Sequence, residues 1–280
     1  MNNGPTARQE HAPQGVPRGA LQSFTILARA ELARGHRPAA IAIMRAALLE
    51  VDPATAPPRD DVIAAAALYA GTLRPHEVAD WLSLRWARYA YRSATTRYGA
   101  GDERTIAAAV LLGTVLAAYR LDTAAIDVWE TVASQLTHQL DAAHLRVHAA
   151  RVELAVARHA AGYCTTALNE LVETRQSWTA WYGAANVTSV ATLLQLAALH
   201  DACGQHRTAA RRTAKAMRSY RPPNANDRSA VRLPVGWIIQ PDATHASLCQ
   251  FGYPHRRTQR IRAAAGHPRN RGGLWRGFLQ

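Results

Sequence analysis

Between Tyr98 and Tyr220 one pattern of small and apolar residues returns about every 42 positions, and this period limits the fold more than any other feature. Tyr98-Gly99-Ala100-Gly101-Asp102-Glu103-Arg104-Thr105 leads into an apolar run, Ile106 to Tyr119, then a turn and a second helical stretch from Thr123. A related opening returns at Tyr182-Gly183-Ala184-Ala185-Asn186-Val187-Thr188, ahead of the apolar run Val190 to Leu199. His144 to Trp178 forms the unit between them, with its turn at Ala161-Gly162-Tyr163. The three turns centre on Tyr119, Gly162 and Gly204, spaced by 43 and 42 residues, and an alanine follows each five positions later: Ala124, Ala167 and Ala209. A fixed period of this size marks stacked helix pairs, in which no unit buries its apolar face alone.

Composition supports helices. Hydrophobic residues make up 48% of the 280, yet only three are phenylalanine, and alanine supplies much of the remainder. Alanine loses no side-chain entropy in a helix and lets neighbouring helices approach closely. The longest apolar run, Ile106 to Tyr119, is about a third short of the roughly 20 residues a bilayer requires, so no membrane contact is expected. Met1 to Val16 is polar and proline-containing, without the apolar centre of a signal peptide. Cys164, Cys203 and Cys249 are odd in number and widely spaced, which argues against a disulfide framework. These features predict a cytoplasmic protein.

Before the repeats, residues 1–20 read as a disordered leader carrying Pro5, Pro13 and Pro17. Phe24-x-x-Leu27-Ala28, Gly35 and Ala40-x-x-x-Met44-x-x-Ala47 follow, closing at Val51-Asp52-Pro53. A proline-rich joint, Val51 to Pro58, precedes a helix capped by Asp60 or Asp61 and running to Ala70. Pro75 suits the first turn of the next helix, which carries Val78, Leu82 and Trp86 on one face.

The Phe24 to Ala47 pattern resembles the tetratricopeptide repeat, in which a large residue, a Leu-small pair, a turn glycine and a small residue recur in a 34-residue helix-turn-helix. Glu31 stands where that family often has an aromatic residue. The later linker, Tyr98 to Thr105, resembles the Leu-Gly-Pro-Asp-His-Pro-Asp-Thr linker of kinesin-light-chain-like repeats, from which Ala100 and Arg104 depart. The resemblance covers residues 21–220 and implies an all-α, tetratricopeptide-like solenoid of about five helix pairs, a right-handed stack with disordered ends. Repeats of this type serve bacterial signalling and regulatory proteins as interaction modules. The first helix of each pair then lines a concave channel. In that register Gln22, Thr25 and Arg29 face it from the first unit, and Ile106, Ala109 and Gly113 from the third. Val152, Val156 and His159 follow from the fourth, and Leu194, Ala198 and Asp201 from the fifth. Such a lining suits an amphipathic helix or an extended apolar peptide of a partner protein.

Catalytic and metal patterns are sparse. His200-x-x-Cys203-x-x-His206 has metal-like spacing, but Cys203-Gly204 is a repeat turn and no second pair lies at finger spacing. His144 and His148 stand four apart on one helix face, where they would bind metal or sense pH, with no carboxylate pattern to complete a site. His76-Glu77-Val78-Ala79-Asp80 departs from HExxH at its last position. No phosphate loop, dinucleotide fingerprint or nucleophile elbow occurs. The expectation is therefore a non-catalytic scaffold or regulatory adaptor without a metal or cofactor. A weaker reading is an enzyme or ligand sensor built on the histidines from His144 to His206.

Charge supplies a further alternative. The net charge is +13, of which +12 lies after residue 210, against Asp227 and Asp242 alone. Residues 221–280 read as a basic, mostly disordered tail with a short strand-like piece, Val235 to Ile239. Arg256, Arg257, Arg260, Arg262, Arg269, Arg271, Trp275 and Arg276 are its candidate contacts to phosphates and bases of DNA or RNA. A tail altered by truncation or frameshift would have the same composition.

Overall fold

The computed structural model describes residues 19–73, 81–220, 241–242 and 257–258. Ten α-helices lie among them: α1 Ala20–Ala33, α2 Arg37–Ala47, α3 Asp60–Thr72, α4 Leu82–Tyr98, α5 Glu103–Ala118, α6 Asp122–Gln139, α7 Leu145–Ala160, α8 Cys164–Tyr182, α9 Val187–Ala202 and α10 His206–Ser219. They pack as consecutive pairs. Two short strands, β1 Pro241–Asp242 and β2 Arg257–Thr258, pair antiparallel. The expected strand-like piece at 235–239 and the histidine-glutamate motif at 76–80 lie outside the described residues, as do nearly all of the leader and tail. Contacts divide the chain into two compact units, with the boundary inside α4 after Ser93.

In the second unit the period comes from how helix ends are satisfied. Each first helix opens on a residue whose side chain accepts from the N–H two positions on: Asp102 from Arg104, His144 from Arg146 and Asn186 from Thr188. These caps satisfy N–H groups that the helix itself leaves open. They stand 42 residues apart. Each pair turns through a residue in the left-handed region: Arg120 at φ 62°, Gly162 at 96° and Gly204 at 72°, again 42 apart. The following N–H reaches back to close the turn, as in Leu121 to Leu116, Tyr163 to Arg158 and Gln205 to His200. With the shorter bonds Arg120 to Ala117, Gly162 to His159 and Gly204 to Asp201, this is the double closure of a Schellman turn. Arg120, which carries a Cβ, stands where its two counterparts are glycine. The first turn therefore centres on Arg120 rather than Tyr119, and the small residue five positions on is Ala125 rather than Ala124. Ala125, Ala167 and Ala209 are all buried where paired helices cross.

Closer still is the crossing of α5 and α6. A Cβ added to Gly113 would stand 2.8 Å from the Trp129 ring, so the glycine lets the indole lie on the α5 backbone. Between the later pairs the core is aliphatic: Ala155, Leu168, Leu171, Leu196 and Leu199 cluster from α7, α8 and α9, and Val190, Leu193 and Ala216 from α9 and α10. Each fully buried leucine contributes about 1.5–3 kcal/mol of transfer free energy. Arg158 joins three helices, donating to Glu130 of α6 at 2.6 Å and to Glu170 of α8. Arg146 of α7 donates to Glu103 of α5 at 2.7 Å.

The first unit uses other means. Gly35, at φ 85°, makes the same Schellman turn between α1 and α2, with His36 N–H on the Glu31 carbonyl. Glu31 accepts from Arg34 at 2.6 Å and His36 at 2.9 Å, which gives the carboxylate two basic partners beside the turn. No side chain caps α1, α2 or α3; Arg59 precedes α3, and Asp60 and Asp61 fall inside its first turn rather than at the cap. Asp61 instead pairs with Arg59 at 2.6 Å. The proline joint is fastened to α4: Tyr89 hydroxyl donates to the Pro57 carbonyl at 2.7 Å, and Arg92 to those of Pro53 and Ala54. Tyr69, Trp86 and Tyr89 meet edge to face between α3 and α4.

Candidate functional site

Of the three first helices of the second unit, α5 and α9 are apolar almost all round, whereas α7 also carries Arg146, Arg151, Glu153 and Arg158. Eleven residues of α9 alone are buried, which is how a helix looks with neighbours on several sides. Their remaining accessible surface follows the 42-residue period. Val152 and Leu194 are partly accessible, and their counterpart on α5 is Val110, also partly accessible. Next come Val156 and Ala198, buried, with Thr114 exposed in their place on α5. His159 and Asp201 correspond to Ala117. The expected lining on α5, namely Ile106, Ala109 and Gly113, lies one helical turn too early. Ile106 and Ala109 are each 2% exposed, and Gly113 is under the Trp129 ring, so all three are packing residues. The 42-residue counterparts of the positions expected on α7 and α9 are Val110, Thr114 and Ala117, which a reading of the sequence misses because α5 shows no apolar stripe of its own.

Elsewhere the expected lining is mixed. On α1, Gln22 and Arg29 are exposed, whereas Thr25 is buried and its hydroxyl donates to the Leu21 carbonyl at 2.7 Å. Val156, His159 and Ala198 are buried; His159 has no accessible surface. Asp201 is partly accessible and accepts from His206 Nδ1 at 2.6 Å. The faces of α6 and α8 turned to solvent are polar, with Thr123, Asp127, Glu130, Thr131, Asn169, Glu173 and Gln176 exposed or partly so. Strand β2 lies against α7 and α9.

The histidine pairs of the sequence part company. His144 is the α7 cap, its Nδ1 accepting from Arg146 N–H. His148, one turn on, is buried beside Trp178, with ring centroids 4.6 Å apart. Its Nε2 lies 2.9 Å from Thr192 Oγ1. Since that hydroxyl gives its proton to the Thr188 carbonyl, His148 Nε2–H is the donor. Burial, with a smaller contribution from the Arg151 charge, lowers the His148 pKa to about 4. Trp178 donates to Asn186 Oδ1 at 3.0 Å and stacks on Tyr182, whose hydroxyl donates to the Ala143 carbonyl. The group ties α7, α8 and α9 together and leaves His144 outside.

Likewise His200, Cys203 and His206 do not converge. His200 Nδ1 donates to Gln205 Oε1 at 2.5 Å, and His206 is exposed on Asp201. Cys203 turns inward to a different pair of side chains, His159 and Cys164. The eight tail residues named as nucleic-acid contacts lie outside the described residues, except that Arg257 opens β2 through its backbone. No helix among the described residues is long and apolar enough to cross a membrane.

No protein-family model matches the chain, and no curated protein matches it. Among solved structures it is similar to a protein of Podosopora anserina named as a putative kinesin light chain with nearly identical TPR-like repeats: TM-score 0.62 and 16% identity, covering 71% of this chain and 94% of that one. A single-substitution form of that protein gives the same score and identity, over 71% and 93%. Identity this low speaks for the fold alone. With ten helices in consecutive pairs and this likeness, the chain has the tetratricopeptide-like helical-repeat fold, with the expected all-α class and repeat type.

Proposed function

We propose that the protein is a non-catalytic interaction scaffold, or regulatory adaptor, that holds an apolar helix or extended peptide of a partner protein along α5, α7 and α9. The observation that carries this reading is the contrast between helix faces. Val110, Ala117, Val152 and Leu194 form a small or apolar strip along the first helices, beside the accessible polar residues Thr114, Arg151, Glu153 and Asp201. The outer faces of α6 and α8 are mostly polar, apart from Trp181 and Tyr182 at the end of α8. A partner segment with apolar residues at helical or alternating spacing would bury that strip. The placement of β2 beside α7 and α9 is consistent with these helices receiving an extended segment. Cysteine usage favours a cytoplasmic setting. The charge of the tail motivates a second reading, in which its arginines bind DNA or RNA in a salt-sensitive way.

Affinity capture from nuclease-treated host lysate separates the two. Full-length protein and a chain ending at Tyr220 are expected to retain the same partner, and Val152→Glu with Leu194→Glu to lose it. Capture that requires residues 221–280 and disappears with nuclease or raised salt would replace the scaffold reading with the second.

A further inference from the structure

Three soft donors from separate elements meet inside the second unit. His159 is the penultimate residue of α7, Cys164 the first of α8, and Cys203 the residue that follows α9. All three are 0% exposed, and one donor atom from each lies within 4.8 Å of the other two. His159 Nε2 is 3.2 Å from Cys203 Sγ. We propose that these three side chains form a binding site for a single thiophilic d10 cation, Zn2+ or Cu+, that ties the fourth helix pair to the fifth.

The donor set selects the ion. Two thiols and one imidazole, with no carboxylate among them, favour soft or borderline cations over Mg2+ or Ca2+. Metal–sulfur bonds of about 2.3 Å and metal–nitrogen bonds near 2.0 Å place donors around one ion about 3.5–4 Å apart. The three donors reach that spacing by moving less than about 1 Å from their present separations. On binding, both thiols lose their protons to solvent and become thiolates, while the imidazole binds neutral through its unprotonated nitrogen. With Zn2+ the two thiolates balance the ion, and the buried site stays neutral. Zinc ordinarily takes a fourth ligand, whereas Cu+ is satisfied by three soft donors, at the expense of one net negative charge. The shared chemistry is therefore dithiolate–imidazole ligation of a d10 ion.

The placement gives the ion a structural consequence. His159 and Cys164 flank the turn of one pair, and Cys203 begins the turn of the next, 44 residues beyond His159. A bound ion joins consecutive repeats by coordinate bonds at a place where they otherwise meet through the His159–Cys203 contact and apolar packing. It is expected to stiffen α7 to α10 in particular.

The test uses the full chain, reduced and stripped of metal by chelation. It is titrated with Zn2+, with Co2+ as a spectroscopic stand-in for zinc, and with Cu+ under anaerobic reducing conditions. One equivalent is expected to bind. The Co2+ adduct should show sulfur-to-cobalt charge-transfer absorption, and the thermal midpoint should rise on loading with the preferred ion. Competition against chelators of known affinity decides between Zn2+ and Cu+. Cys164→Ser, Cys203→Ser and His159→Asn should each weaken binding by about a hundredfold or more, while His206→Asn keeps wild-type affinity. Binding unchanged in the cysteine variants, or a Co2+ adduct without the charge-transfer bands, overturns the proposal. So does a reduced protein that takes up neither ion, including one whose Cys164 and Cys203 simply form a disulfide in air. Should the serine variants not fold, the wild-type Co2+ spectrum decides alone.

Discussion

In residues 94–220 each first helix opens on a side chain that caps it, and each pair closes on a residue with positive φ, at one constant interval. In residues 19–93 the first three helices have no such cap, and backbone groups of the joint at 53–57 are satisfied by Tyr89 and Arg92 from more than thirty residues away. The contrast shows where a sequence period comes from. When helix ends are satisfied by neighbours in the chain, the solution can be copied with the repeat. When they are satisfied from a distance, as by Tyr89 and Arg92, two separated segments must match, which the second unit also achieves at the repeat interval with Gln139 on the Gly101 carbonyl and Tyr182 on that of Ala143.

The largest test of this contrast is Leu171→Ala, in the centre of the α7–α8–α9 cluster. Removing a fully buried leucine there is expected to cost about 2–5 kcal/mol. Amide hydrogen exchange should accelerate across α7 to α10 and stay unchanged in α1 to α3. Equal acceleration in both units would break the division between them.

Next in size is a pH effect centred on His148 in the second unit. Between about pH 6.5 and pH 4 the unfolded chain takes up a proton at His148 that the folded chain refuses. Stability therefore falls as pH drops through that window, by about 3 kcal/mol in all. His200, whose pKa is also lowered by burial, adds in the same direction. Denaturation midpoints measured from pH 7 to pH 4 should show this slope, and His148→Gln should flatten most of it. An unaltered slope would assign the acid sensitivity to other groups.

The smallest expected effect sharpens the argument about caps. Asn186→Ala removes the acceptor for both Thr188 N–H and Trp178 Nε1–H and should cost about 1–2 kcal/mol. His36→Ala, at a position that precedes α2 without capping it, should cost less. Chemical denaturation of the two variants compares them directly; equal losses would mean that the caps are not what distinguishes the regular unit.

What can be read from the amino acids follows the same line. Gly162 and Gly204 announce their turns because only glycine adopts that backbone without strain. Arg120 holds the same conformation without announcing it, so the sequence pattern displaces the first turn by one residue and its alanine with it. The register of α5 slips by a whole turn for a different reason. A helix packed on several sides loses the stripe that would orient it, and only the cap at Asp102 restores the register. The cluster of His159, Cys164 and Cys203 is hidden from linear reading because its members approach only when one pair stacks on the next. The local His-x-x-Cys-x-x-His spacing, by contrast, is conspicuous in the chain and dispersed in space.

The constant interval in the second unit also bears on how such a chain can change its length. A block of 42 residues cut at one cap and rejoined at another presents the same kind of cap, turn and small residue at each seam. Duplication or excision of such a block keeps the cap and turn pattern at each junction, while particular cross-repeat pairs such as Arg146 with Glu103 and His148 with Thr192 would have to be replaced. The first unit, whose helices α1 to α3 have no side-chain caps at that interval, offers no equivalent seam.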